Sequence, residues 1–275
     1  MAAQLCRHPL PPTPAAAALH HASPEGNVNE LALFAGAGGG ILGGQLHGRR
    51  TICAVERDAY AAQVLAQRQN DGVLKPFPIW SDVCSFDGIP WRGIIDVVSG
   101  GFPCQDISAS GPGTGIEGPR SGLWKEMARI IGEVRPLYVE LENSPLLVGR
   151  GLAVVIGDLT NMGYDTQWLC LSARELGAAH ERDRTRLVGR DISNTLSCNG
   201  QGIISKGADT QKWPITTQEQ AGLLGRARWP EWPPEPRVCR VAHGLAHRVD
   251  RNRALGNGQV PRVEAAAFAL LSSFS

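Results

Sequence analysis

Four residues combine type and spacing suited to chemistry: Cys104 in "GGFPCQDIS" (100–108), Glu142 in "VELENSP" (139–145), and Arg182 and Arg184 in "GAAHERDRTRLVGR" (177–190). The apolar run Ile94, Ile95, Asp96, Val97, Val98 reads as a buried strand, and the Gly and Pro residues after it read as a loop at its carboxyl edge. Ligands of open α/β sheets bind at that edge. Cys104 therefore stands where a thiol can meet a substrate, the plain alternative being a small hydrophobe in the core. Glu142 ends another strand-like run and projects from the same edge. In a partly dry pocket a carboxyl group stays protonated near neutral pH and can donate that proton; a lone acid at a strand end is otherwise ordinary surface. Arg182 and Arg184, if they enter the strand "TRLVGR" extended, point to one face and can hold a phosphate or a base carbonyl. Surface arginines on an edge strand are the competing reading.

A second set of residues suits a cofactor. "LFAGAGGG" (33–40) follows a short apolar run and precedes a helical segment, the place where glycines let a backbone turn tightly and approach a ligand. The dinucleotide fingerprint G-x-G-x-x-G fails, because counting from Gly36 brings Ile41 to the last position. Glu56 nevertheless ends the next strand, where a carboxylate can accept both hydroxyls of a ribose, and Asp82 in "WSDVCSF" ends a third unit. A nucleoside cofactor without a pyrophosphate fingerprint suggests S-adenosylmethionine. Asn257 lies in a glycine-flanked turn before the last helix, as a helix entry or as a lid over a ligand.

The elements that must position these residues alternate. Apolar runs at "ELALFA", "TICAVE", "IIDVVS", "PLYVELE", "DTQWLCL" and "TRLVGR" read as strands. "AYAAQVLAQRQ", "SGLWKEMARIIGEV", "GLAVVIGDLTNMGY" and "PRVEAAAFALL" read as helices. In the second of these helices Leu123, Met127, Ile130, Ile131 and Val134 form a stripe for packing on one face. Alternation through about residue 190 predicts an α/β fold with a doubly wound, largely parallel sheet. The expected organisation is a disordered extension over 1–27, a catalytic and cofactor-binding domain over 28–190, a short loop-rich region over 191–236, and a segment over 237–275 that returns to the first domain.

Composition narrows the classes. At 275 residues with 43% hydrophobic and 19% charged residues the chain can bury a sizeable core, and no apolar stretch approaches the roughly 18 residues of a membrane helix. The seven cysteines are odd in number and include no C-x-x-C pair, so neither a disulfide frame nor a metal site is expected, and a reducing cytoplasm is. Net charge is only +1, but seven arginines against three acids between 226 and 253 give one stretch able to meet a polyanion.

Taken together, these segments resemble the cytosine-5 DNA methyltransferase family, from about residue 30 to 190 and again from about 237 to 271. "GFPCQ" with "EN" downstream carries the resemblance most specifically. It implies a Rossmann-like methyltransferase fold that uses S-adenosylmethionine, with Cys104 as nucleophile and Glu142 engaging the pyrimidine ring nitrogen. Arg182 and Arg184 would contact cytosine and its phosphate, and Gln105 and Ser108 the DNA. Phe34, Gly36, Gly38 and Gly39 would shape the cofactor pocket, Glu56 bind the ribose, Asp82 the adenine amine, and Leu123 and Asn257 close the pocket. Residues 191–236 would occupy the place of the target recognition region. Double-stranded DNA is the implied partner, with a restriction endonuclease as a functional counterpart and a monomer as the working unit. The chain departs from the family pattern at Ala32, Ser144, His180, Gly258 and Gln259. The alternatives are a Rossmann-type oxidoreductase, a non-catalytic DNA-binding relative, and an RNA cytosine methyltransferase.

Overall fold

The computed structural model describes residues 28–103, 123–193 and 247–272. Cys104, Gln105 and Ser108, the extension over 1–27 and nearly all of the expected recognition region lie outside the described residues.

Strand β1 (Asn29–Leu33) leads through the glycine loop into helix α1 (Gly39–Leu46). β2 (Arg50–Val55) is followed by α2 (Ala59–Asn70), whose first turn is capped by the Asp58 side chain accepting from the Ala61 amide at 2.9 Å. The short β3 (Ile79–Trp80) precedes β4 (Val97–Gly100). Next come α3 (Leu123–Val134), β5 (Tyr138–Asn143), a single turn α4 (Leu147–Arg150), α5 (Leu152–Asn161), β6 (Tyr164–Leu171) and β7 (Arg184–Asp191). Two helices, α6 (Arg248–Asn257) and α7 (Pro261–Ser272), close the described chain.

The seven strands form one sheet in the order β3-β2-β1-β4-β5-β7-β6. β1 to β5 pair in parallel, while β7 runs antiparallel between β5 and β6. The α/β architecture thus matches the expectation, with an antiparallel insertion that alternation alone does not reveal. One face is covered by α3 and α5: Met127, Ile130, Ile131, Val134, Val155 and Leu159 pack on Leu31, Leu33, Val98, Val139 and Leu187. Trp124 joins the α3 stripe as a fully buried residue, whereas Leu123 is half-buried at the helix start. The other face carries Ala32 and Ala54 against Ile41 and Leu65, and Val188 against Phe268 and Leu271 of α7. Parallel strands buried on both faces are near-continuous apolar runs, which is why they stood out in the sequence.

Candidate active site

The carboxyl edge of β4 is the fixed end of the segment that carries Cys104. Asn143 Nδ2 donates to the Phe102 carbonyl at 3.1 Å, and the buried Phe102 ring packs against Trp124 with centroids 5.5 Å apart. Gly101 passes close to the next strand: a methyl group there would stand 2.7 Å from Glu142 Oε2. The chain therefore leaves the sheet directly beside the Glu142 carboxyl.

Glu142 lies on β5 and is 8% exposed. Arg184, the first residue of β7, places its Nε 2.7 Å from Glu142 Oε1. A charge-assisted pair of this length orients the carboxyl group, leaving Oε2 on the Gly101 side. The sequence expected Arg182 and Arg184 to point to one face, and in the structure their side chains take different partners. Arg182 donates to the carbonyls of Leu255 at 3.3 Å, Gly256 at 2.8 Å and Gly258. These are the last carbonyls of α6 and the turn after it, groups that a helix leaves without intrahelical partners. Arg182 thus fastens the turn bearing Asn257 to the entry of β7, and Asn257 itself is exposed as the last residue of α6.

On the β1 side, Phe34 and Gly36 both take positive φ, 51° and 55°. The Gly36 N–H donates to Glu56 Oε2 at 2.6 Å and the Asp58 N–H to Oε1 at 2.6 Å. Burial raises the Glu56 pKa above its ordinary value, and these amide donors act against that rise. A side chain added at Gly36 would meet nothing within 4 Å, so the loop faces open space there. A methyl group on Gly38 would instead stand 2.7 Å from Leu65, and one on Gly39 would collide with the Gln259 carbonyl, so these two glycines serve packing. The open space over Gly36 beside the Glu56 carboxyl leaves room for a ligand that carries hydroxyl groups, as a nucleoside does. Asp82 Oδ1 accepts from the Cys84 N–H at 3.0 Å, ordering the turn after β3. Among the described residues no group of three or more His, Cys, Asp or Glu could hold a metal ion.

Two residues without an expected role in the site belong to this edge. Arg186, 2% exposed on β7, donates from Nη1 to Gln259 Oε1 at 2.9 Å. A charged residue inside the run "TRLVGR" was the available signal for Arg186; for Gln259 it was the departure from the family pattern.

The model of the C-5 cytosine-specific DNA methylase family matches residues 28–227. Among curated proteins, the Type II methyltransferase M.PspPI of Psychrobacter sp. is 36% identical over 146 residues, covering 51% of this chain and 34% of the relative. The Type II methyltransferase M.CviJI of Paramecium bursaria Chlorella virus IL3A is 34% identical over 159 residues, covering 56% of this chain and 41% of the relative. The alignments thus span well under half the length of these relatives. A DNA modification methyltransferase encoded in an E. coli prophage superposes with a TM-score of 0.51 at 24% identity, covering 62% of this chain and 48% of that one, a likeness of fold. With 200 residues of its 275 inside the family model, the chain belongs to the C-5 cytosine-specific DNA methylase family.

Proposed function

We propose that the protein transfers a methyl group from S-adenosylmethionine to carbon 5 of a cytosine flipped out of double-stranded DNA, through a covalent Cys104 adduct. The observation that carries this reading is the Glu142 carboxyl, oriented by Arg184 and turned beside Gly101, where the Cys104 segment leaves the sheet. Carbon 5 of cytosine is too weak a nucleophile to attack a sulfonium methyl group unaided. The Cys104 thiolate adds to carbon 6 while Glu142 delivers a proton to N3, and the displaced electron pair makes carbon 5 an enamine-type nucleophile. The cofactor supplies an electrophilic methyl group on sulfur. A base then takes the proton from carbon 5, the bond from carbon 6 to the Cys104 sulfur breaks, the 5,6 double bond returns, and N3 gives its proton back to Glu142. The target must leave the helix because stacking covers both ring faces.

In this reading residues 28–190 and 237–275 form the catalytic unit, 191–236 read the target, and Gln105 and Ser108 touch DNA. Phe34, Gly36 and Glu56 hold the cofactor, with Gly38 and Gly39 shaping the loop beneath it; Asp82, Leu123 and Asn257 complete the pocket, and no metal takes part. Arg184 steers the base through Glu142, and Arg182 contributes by holding the closing turn. The protein works as a monomer on cytoplasmic DNA, paired with a restriction endonuclease of the same target. The test is incubation with labelled S-adenosylmethionine and mixed-sequence duplex DNA, followed by bisulfite sequencing. The expected result is label at cytosines of one short context, and none with Cys104→Ser although that variant still binds cofactor. Wild-type turnover by the variant would overturn the mechanism.

A further inference from the structure

Gln259 follows the turn that Arg182 fastens and reaches into the junction of three loops. Its Oε1 accepts from Arg186 Nη1 at 2.9 Å. A methyl group on Gly40 would stand 3.0 Å from this Oε1, and one on Gly101 would stand 3.3 Å from Gln259 Nε2 and 2.7 Å from Glu142 Oε2. Gln259 Nε2 and Glu142 Oε2 therefore border one point beside Gly101. The orientation of the amide has a physical cause: a guanidinium only donates, so Arg186 takes the oxygen of Gln259 and turns its NH2 group toward Gly101. Meanwhile the Gln259 backbone closes against Gly39 in the glycine loop. A small side chain at 259 could not span from the Arg186 guanidinium to Gly101.

We propose that Gln259 is a positioning residue for methyl transfer, whose amide, turned by Arg186, sets Gly101 and the Glu142 carboxyl and with them the exit of the Cys104 segment. Gln259 acts through these groups and does not itself touch the reacting atoms. The proposal rests on the methyltransferase reading and adds a link between the turn after α6 and the acid of the reaction. The bond from the buried Arg186 guanidinium gives the Gln259 amide a fixed place beside Gly101 and the Glu142 carboxyl.

The experiment measures kcat, KM for S-adenosylmethionine, the pH profile of kcat and amide hydrogen exchange over 100–102 in wild type and in Gln259→Leu and Gln259→Glu. In Gln259→Leu, which keeps volume and loses both polar atoms, kcat falls roughly tenfold while KM for the cofactor changes less than about threefold, and the 100–102 amides exchange faster. Gln259→Glu adds a negative charge beside Glu142 and Arg186, and the pH profile of kcat is expected to differ from that of wild type. A residue that only filled space would leave the profile in place. Unchanged kcat, pH profile and exchange in both variants overturn the proposal. If wild type transfers no methyl group, the proposed function fails. The exchange rates then decide by themselves whether Gln259 holds Gly101.

Discussion

The Glu142 carboxyl is divided between two neighbours, Arg184 on Oε1 and the Gly101 backbone beside Oε2. Replacing it by glutamine keeps an acceptor for Arg184 and removes the exchangeable proton. Methyl transfer by Glu142→Gln is expected to slow by roughly a hundredfold or more, the scale of losing a general acid, while cofactor binding stays near wild type. Single-turnover transfer measured beside cofactor binding checks this, and unchanged rates would remove the role. The types Cys, Glu and Arg at strand ends were legible because few other residues perform such chemistry. The separate partners of Arg182 and Arg184 were not legible: alternation predicts a shared face only for regular extended chain, and β7 begins at Arg184. Arg182 lies before that point and satisfies carbonyls 73 to 76 residues further on.

At the scale of elements, the sheet holds a buried charge network at its middle. Arg49, at the start of β2, places Nη1 2.6 Å from Glu140 on β5, 3.4 Å from Glu264 on α7 and 3.5 Å from Glu30 on β1. Ser99 and Thr51 donate to Glu30 at 2.7 and 2.9 Å. Arg186 favours the ionised forms of Glu140 and Glu264, and His47 at the end of α1 donates to the Ala265 carbonyl at 2.8 Å. No donor among the described residues reaches Glu140 Oε1 or Glu264 Oε2. One proton held by Glu264 and donated to Glu140 satisfies both. Burial first, and the Glu140 charge second, push the Glu264 pKa well above its ordinary value, while Arg49, working against burial, brings Glu140 below its own. The folded state therefore binds a proton at Glu264 that the unfolded chain releases above about pH 4.5. The stability this provides is present below that pH and is lost as pH rises through the folded-state pKa. Unfolding midpoints taken above about pH 7, where an unfolded histidine is neutral and buried His47 is too, are expected to fall with pH in wild type. In Glu264→Gln, whose amide still donates to Glu140, the fall should be shallower; an equal slope would contradict the shared proton. The signal for the network was present as acids inside the apolar runs "NELAL", "YVELEN" and "VEAAAF", but their meeting depends on strand order, which local sequence does not specify. Helix α6 was missed for a related reason. None of its residues is buried, so it has no apolar stripe to read.

Over the whole molecule, the chain returns to its beginning. α7 packs on α1, β6 and β7, and Gln259 closes on the loop after β1, so one edge of the sheet gathers groups from both ends of the described chain. Strand and helix alternation was legible because parallel strands and their covering helices are separately apolar. The antiparallel place of β7 was not, since burial on both faces looks alike in either direction. This gathering predicts that one site does both halves of the chemistry, binding the cofactor and bonding covalently to the base. The most direct measurement uses duplex DNA carrying 5-fluorocytosine at the methylated position, with S-adenosylmethionine and the wild-type protein. Fluorine cannot leave carbon 5 as a proton does, so elimination stops after methyl transfer and the thiolate remains bonded to carbon 6. Mass spectrometry should then find a methylated nucleotide on the peptide containing Cys104, absent in Cys104→Ser and without cofactor. Methylation of ordinary DNA with no such adduct on the fluorinated duplex would contradict the account.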